Sequence, residues 1–179
     1  MVEQKSENFD VILVQNDKDL NFALSPKDEE KMSRIRFKRA VLQTMTLLTE
    51  LGYQPIKSGH ESGIVEFWKD LTEGVRCEIE FQLRQFYEAH VRIFTVGLYR
   101  IRLPSFPQDD PRFARLAIDL PNLMWFIYKT DSAPSHSGWE FTDESTLGEQ
   151  LLHAQNLLIE YGIKWLEDPL STETWVRRE

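Results

Sequence analysis

Charged residues in one alternating stretch, residues 75–103, have the types and spacing that best suit binding chemistry. Apolar and polar residues alternate there, which predicts a long β-hairpin with one buried and one polar face. Arginine presents a planar fork of donors that suits carboxylate and phosphate groups. With a turn near residues 85–88, we expect even-numbered residues of both arms to share the polar face. The predicted binding residues are Arg76, Glu80, Arg84, Arg92, Arg100 and Arg102.

The same residues have a simpler interpretation, as cross-strand pairs of Glu and Arg that only stabilise the sheet. Such pairs contribute a few tenths to about 1 kcal/mol each. The sequence favours this interpretation. The alternative is that these arginines bind an acidic ligand or partner. Cys77 falls on the apolar face of the hairpin, so we expect a buried, inert thiol.

Two short motifs resemble catalytic sites only in part. A nucleophile elbow needs Gly-x-Ser-x-Gly between a strand and a helix, and in residues 59–63 the serine, Ser62, stands one place late. Asp109 and Asp110 resemble paired carboxylates for acid and base catalysis. Asp110 precedes a proline and is more simply a helix cap. We therefore predict no catalytic residue.

Two helical patterns could hold a metal or a phosphate. Glu149 and His153 are four residues apart and would share a helix face, but no third ligand is spaced to complete a zinc site. Lys31, Arg34 and Lys38 form a basic stripe of the kind that binds nucleic acid. Acidic residues beside the stripe and at both ends of the chain favour a solvated helix face. No metal or other cofactor is expected, and nucleic-acid binding is disfavoured.

Composition predicts one domain with an ordinary core. The chain has 179 residues, a net charge of −8 and a single cysteine, which excludes an intramolecular disulfide. The acidic excess lies at the two ends, while residues 31–130 are mildly basic. No apolar run is long enough to cross a bilayer, and residues 1–10 have no basic head before an apolar run. We expect a cytoplasmic protein without membrane contact.

Periodicity and breaker residues predict the elements that position these side chains. A helix from Pro26 to Leu51 ends at Gly52, and a second long helix, residues 145–161, closes at Gly162. Residues 64–69 are a strand, and the apolar run 123–128 is predicted to be a buried strand. Gly97 marks either a bulge or a close backbone approach.

These elements predict an α+β fold in which an antiparallel sheet, a meander with a long hairpin, is packed on one face by two long α-helices. Residues 1–24 are expected to form an N-terminal strand or extended segment. Residues 25–168 form a single α+β domain, and residues 169–179 form a C-terminal tail.

Four segments resemble a bacterial family of small α+β domains known only as a domain of unknown function, the 4304 group. They are Glu50-Leu51-Gly52-Tyr53, the strands Ile64 to Trp68 and Arg92 to Leu98, and the closing sequence from Leu157 to Glu167. The family has no agreed activity, so the resemblance implies a fold and no site residues. Domains of similar make-up occur among bacterial immunity and toxin-associated proteins, an analogy that favours protein binding.

We therefore expect a non-enzymatic domain that binds another protein, through the hairpin's arginine-bearing face or the acidic C-terminal third. One alternative is a small-molecule or phosphate-linked enzyme whose site gathers distant residues such as His60, His90 and Glu80. A second alternative is nucleic-acid binding through the first helix. The oligomeric state stays open.

Overall fold

The computed structural model of the protein describes residues 26–56, 63–71, 74–85, 91–102, 115–130, 132, 134, 135 and 138–168. The predicted N-terminal segment 1–24 and the tail 169–179 lie outside these residues. So do His60, Ser62 and His90, and the pair Asp109 and Asp110.

A six-stranded antiparallel sheet forms the centre of the protein, which confirms the predicted α+β class. The first five strands follow one another as a meander. The sixth pairs with residues 92–94 of β4 and β5 pairs with residues 97–101, so the two short strands share the edge of β4 opposite β3. The strands are β1 (Gln54–Pro55), β2 (Ile64–Leu71), β3 (Val75–Gln85), β4 (Arg92–Arg102), β5 (Arg115–Asp119) and β6 (Trp139–Phe141).

The helical segments come before and after the meander. The predicted first helix is broken by a turn at Met45, and Gly52 follows it with φ of +90°, the left-handed stop that the sequence indicates. The segments are α1 (Pro26–Thr44), α2 (Thr46–Glu50), α3 (Leu120–Asn122), the π-helical turn π1 (Leu123–Tyr128), α4 (Glu144–Leu157), the π-helical turn π2 (Leu158–Gly162) and α5 (Ile163–Glu167).

The last helical stretch does not end at Gly162, so that prediction is wrong. Gly162 has helical dihedral angles, and the chain continues as α5 to Glu167. A Cβ atom at Gly162 would lie 2.6 Å from Leu158 Cδ1 and 3.4 Å from the Cδ1 atoms of Leu98 and Leu120. Glycine is therefore used here for close packing against the sheet rather than for its conformational freedom.

One face of the sheet is covered by the helices and carries the core. Odd-numbered residues of β2 and β3 and even-numbered residues of β4 lie on this helix-covered face. Burial of each large apolar side chain contributes about 1.5–3 kcal/mol. Phe94 stacks on Trp139 with ring centres 5.4 Å apart, which joins β4 to β6. The most buried strand residues are Phe67, Cys77, Ile79, Phe81, Phe94, Val96, Leu98 and Trp139.

Candidate binding surface

The six predicted binding residues do not form one surface. In the β3–β4 pairing, Glu80 lies opposite Gly97 and Arg84 opposite Ile93. Six residues connect Gln85 to Arg92. An even number of connecting residues places even positions of one arm opposite odd positions of the other. The expectation that even-numbered residues of both arms share a face is therefore wrong. Which positions share a face depends on the number of residues in the connection, and the alternating pattern does not give that number.

The predicted set is divided between the two faces of the sheet. Arg76, Glu80 and Arg84 lie on the outer face, which we define as the sheet face turned away from α1 and α4. Arg92 and Arg100 lie on the helix-covered face, and Arg102 pairs with Val75 at the end of β4.

Arg100 is a buried structural residue, only 7% exposed. Its Nη1 atom donates a hydrogen bond to the carbonyl oxygen of Asp168, directly after α5. It lies opposite Cys77, whose thiol donates to the carbonyl oxygen of Leu166 over 3.1 Å. Both side chains therefore hold the end of α5 against the sheet.

Three more residues complete this buried cluster. Tyr53 donates its hydroxyl to Glu167 Oε1 over 3.2 Å, and Lys69 Nζ donates to the same oxygen over 2.8 Å. Burial raises the pKa of Tyr53. Burial also raises the pKa of the Cys77 thiol from 9.0 to about 11, against a lowering by Arg100. Cys77 is buried as predicted, and the raised pKa disfavours the reactive thiolate.

Arg92 lines a depression of about 330 Å³ between α1 and the start of α4. Arg36 reaches Glu144 at 3.3 Å in the same place. Asp143 caps α4 by accepting from the backbone N–H of Thr146, which lowers the pKa of its carboxyl group. Two arginines thus face two carboxylates, and the depression has no net positive charge to attract an anion.

The outer face is acidic rather than basic. Glu66 lies directly opposite Glu80, an arrangement of like charges that destabilises a sheet. Arg76 is already engaged, because it makes two hydrogen bonds to Asp70, of 2.7 and 3.0 Å, and stacks over Trp68 at 4.4 Å. By strand register, the acidic residues on this face are Glu66, Asp70, Glu78, Glu80, Asp119 and Glu140, against Arg76, Arg84 and Arg115.

The run from Leu123 to Tyr128 is not the buried strand that the sequence predicts. It is a π-helical turn after β5 in which only Leu123 and Met124 are buried. The next four side chains are each exposed, and we call these four consecutive residues the apolar ridge. Phe126 is 61% exposed, and the others are 37–40% exposed. The apolar ridge consists of Trp125, Phe126, Ile127 and Tyr128.

Hydrogen bonds and ring contacts hold the apolar ridge in place. Trp125 Nε1 donates to the carbonyl oxygen of Pro134 over 3.3 Å. The Tyr128 ring packs on Tyr161 with centres 4.9 Å apart, and its hydroxyl donates to the Tyr161 carbonyl oxygen over 3.4 Å. Partial burial and the nearby Asp168 carboxylate raise the pKa of Tyr128. A left-handed residue, Lys129 with φ of 53°, ends the turn. The ridge is thus exposed and anchored at both ends.

An open depression of about 310 Å³ separates the apolar ridge from β5. We call it the ridge depression. Phe126 and Tyr99 supply its aromatic groups, and Asp119 and Asn122 supply polar ones. Its remaining lining residues are Ala117 and Ile118.

Gly97 makes room for Tyr99 in the ridge depression. A Cβ atom at Gly97 would lie 2.8 Å from the Tyr99 hydroxyl, so the tyrosine lies across its strand neighbour. That hydroxyl donates to Glu80 Oε1 over 3.3 Å. The β3–β4 pairing continues unbroken through Gly97. Gly97 therefore marks a close approach by a side chain, and neither a bulge nor a backbone approach explains it.

The remaining sequence candidates have structural contacts. His153 accepts a hydrogen bond at Nδ1 from Trp139 Nε1 over 3.4 Å. On α1, Arg34 pairs with Glu30. No group of three or more metal-ligating side chains lies together in the part of the chain that the structure describes. None of the described helices combines the length and apolar character needed to cross a membrane.

Comparison of the chain with protein-family models, with curated proteins and with solved structures finds no match. The resemblance to the 4304 group therefore stays a prediction.

Proposed function

We propose that this protein is a non-enzymatic binding domain that docks another polypeptide on the apolar ridge. The observation that carries the proposal is the exposure of four consecutive large apolar side chains on an anchored turn. Contiguous exposed apolar groups with a polar rim are typical of interaction sites. Aromatic side chains also dominate the energetics of such sites, because they bury a large area at a small cost in conformational entropy.

The core does not require the apolar ridge. Leu123 and Met124 already fill the space beneath the turn, and both are fully buried. Phe126, the most exposed member of the ridge, projects most of its surface to solvent. A polar residue at that position would leave the core contacts of the turn intact. A phenyl ring at this exposed position is therefore better explained by a partner than by folding.

Charge favours a basic partner segment. By strand register, the outer face carries six acidic residues against three arginines, and the whole chain has a net charge of −8. A segment with apolar side chains for the ridge and Lys or Arg beside them is complementary to this surface. The same charge repels the phosphates of nucleic acid, and Arg34 and Arg36 on α1 already face carboxylates.

An enzymatic site at Glu80 has less support. Its carboxylate accepts the Tyr99 hydroxyl and lies opposite Glu66, while the two histidines of that hypothesis lie outside the described residues. The proposal therefore replaces the arginine-bearing hairpin face with the apolar ridge.

The test compares partner capture by three forms of the tagged protein from lysate of its own source organism. They are the native protein, a Phe126→Asp/Ile127→Asp variant and a Leu152→Asp control. Leu152 is equally apolar and 53% exposed, but it lies on α4. A captured protein is then purified, and its affinity for each form is measured by titration calorimetry.

We expect the native and control forms to capture the same protein and the ridge variant to bind it at least about tenfold more weakly. Matching circular dichroism spectra and unfolding curves establish that the ridge variant is folded. Equal affinity of all three folded forms for the captured protein would refute docking on the apolar ridge.

A further inference from the structure

We propose that the ridge depression binds a guanidinium group, supplied by an arginine side chain of the partner. This inference rests on the proposed function and specifies the partner's chemistry. The ridge depression brings together two aromatic rings, Tyr99 and Phe126, and a carboxylate, Asp119. An aromatic ring attracts a cation placed over its face, and a carboxylate accepts charge-assisted hydrogen bonds from it.

Asp119 is the carboxylate that lines the ridge depression. It precedes α3 in the position of a helix cap, but its side chain makes no capping hydrogen bond. Three carboxylates elsewhere in the described residues already have partners. Asp70 accepts from Arg76, Asp143 accepts from Thr146, and Glu167 accepts from Lys69. Within the described part of the chain, the Asp119 side chain makes no such contact, and it is half-buried at the end of the edge strand β5.

The composition of the ridge depression favours arginine over other ligand groups. A planar guanidinium can stack on a ring and direct its N–H groups sideways to a carboxylate and an amide oxygen, here those of Asp119 and Asn122. An anionic ligand would meet Asp119 and, beyond the Tyr99 hydroxyl, Glu80. A purely apolar side chain would remove Asp119 from water without a partner for its charge, which costs free energy.

The first experiment titrates the purified protein with N-acetylargininamide and, separately, with N-acetylcitrullinamide, its uncharged isostere. Amide chemical shifts in a ¹⁵N–¹H correlation spectrum are followed. We expect saturable shifts at Asp119, Asn122 and Phe126 with the arginine compound only, and weaker binding as salt is added. Equal responses to the two compounds, or shifts centred elsewhere, would overturn the assignment.

Matched variants identify the groups that bind the cation. Asp119→Asn removes the charge at constant size and is expected to weaken binding of N-acetylargininamide about tenfold. Phe126→Leu keeps an apolar side chain without the ring and is expected to weaken it severalfold. The control is Glu140→Gln, which removes a charge from the outer face at a residue paired with Ile93, outside the ridge depression. A folded Asp119→Asn protein that binds as tightly as the native one would refute the proposal.

This experiment and the capture experiment fail independently. The titration needs only purified protein and a synthetic cation, whereas partner capture measures the apolar ridge with a whole protein. A missing response to N-acetylargininamide refutes the guanidinium site. It leaves the proposed docking on the apolar ridge unchanged.

Discussion

At the scale of single residues, the same amino acid has different roles on the two faces of one hairpin. Arg76 lies on the outer face, paired with Asp70 and stacked on Trp68. Arg100, from the partner strand, is buried and donates to the Asp168 carbonyl oxygen. Sequence alternation alone assigned both to one polar row. Their different environments predict different costs of removal.

Replacing Arg100 by Ala is expected to lower the free energy of unfolding by about 2–3 kcal/mol, because the Asp168 carbonyl oxygen loses a charged donor and the end of α5 loses its anchor. The matched control is Arg76→Ala, whose ion pair is solvent-screened, and we expect a clearly smaller loss. Urea titration of both variants measures the difference. Equal losses would contradict the assignment of Arg100 as a buried anchor.

At the scale of elements, two glycines in one helical stretch have opposite surroundings. Gly148, in α4, has no atom within 4 Å of the place that a Cβ would occupy. Gly162, at the end of π2, is pressed against Leu158 and lies near Leu98 and Leu120. The sequence pattern predicts a helix stop at Gly162. It cannot indicate the close packing there, because Leu98 and Leu120 are far from Gly162 in the chain.

The substitution Gly148→Ala is expected to stabilise the protein by about 0.5–1 kcal/mol, because alanine loses less backbone entropy in a helix. The same change at Gly162 is expected to destabilise it by about 1–3 kcal/mol through overpacking. Thermal unfolding of the two variants tests the contrast. A stabilising Gly162→Ala would show that the packing at π2 can accommodate a methyl group.

The turn π1 is an element whose type could not be predicted from hydrophobic periodicity. A six-residue apolar run is compatible with a buried strand or with a helical turn, and periodicity cannot distinguish them. Asp119 and Pro121 begin a helical segment directly after β5, and Lys129 ends it. Four side chains of this turn are therefore exposed, whereas a buried strand would have removed them from solvent.

At the scale of the whole molecule, the buried cluster at the end of α5 couples stability to alkaline pH. Cys77 and Tyr53 have pKa values raised in the folded protein, so the folded state holds their protons more tightly than the unfolded state does. Their contribution to stability is complete below the unfolded value of 9.0 for the thiol and is lost as the pH rises through about 11.

We therefore expect the free energy of unfolding to fall as the pH rises above 9. A Cys77→Ala variant should show a shallower fall, because one of the two titrating groups is gone. Urea titrations at a series of pH values on both sides of 9 measure the slopes. Parallel curves for the native and variant proteins would exclude the thiol as a contributor.

The distribution of charge also belongs to the whole molecule. Arg100 is buried on the helix-covered face, and the acidic residues of the described strands lie on the outer face. A chain with a net charge of −8 thus presents its apolar ridge next to an acidic sheet surface. Charge and apolar area together explain why we assign a basic polypeptide rather than an acidic ligand to this protein.

The sequence by itself determined the class of the fold, because alternation and helical periodicity are local properties of the chain. Residues 75–102 had to form a hairpin with Cys77 on the buried side, and Pro26 and Gly52 had to bound the first helical region. Only the tertiary structure decided which side chains meet. The six-residue connection set the pairing parity and separated the predicted arginines, and packing after β5 left Phe126 in solvent. Such contacts depend on residues far apart in the chain, for which local pattern carries no information.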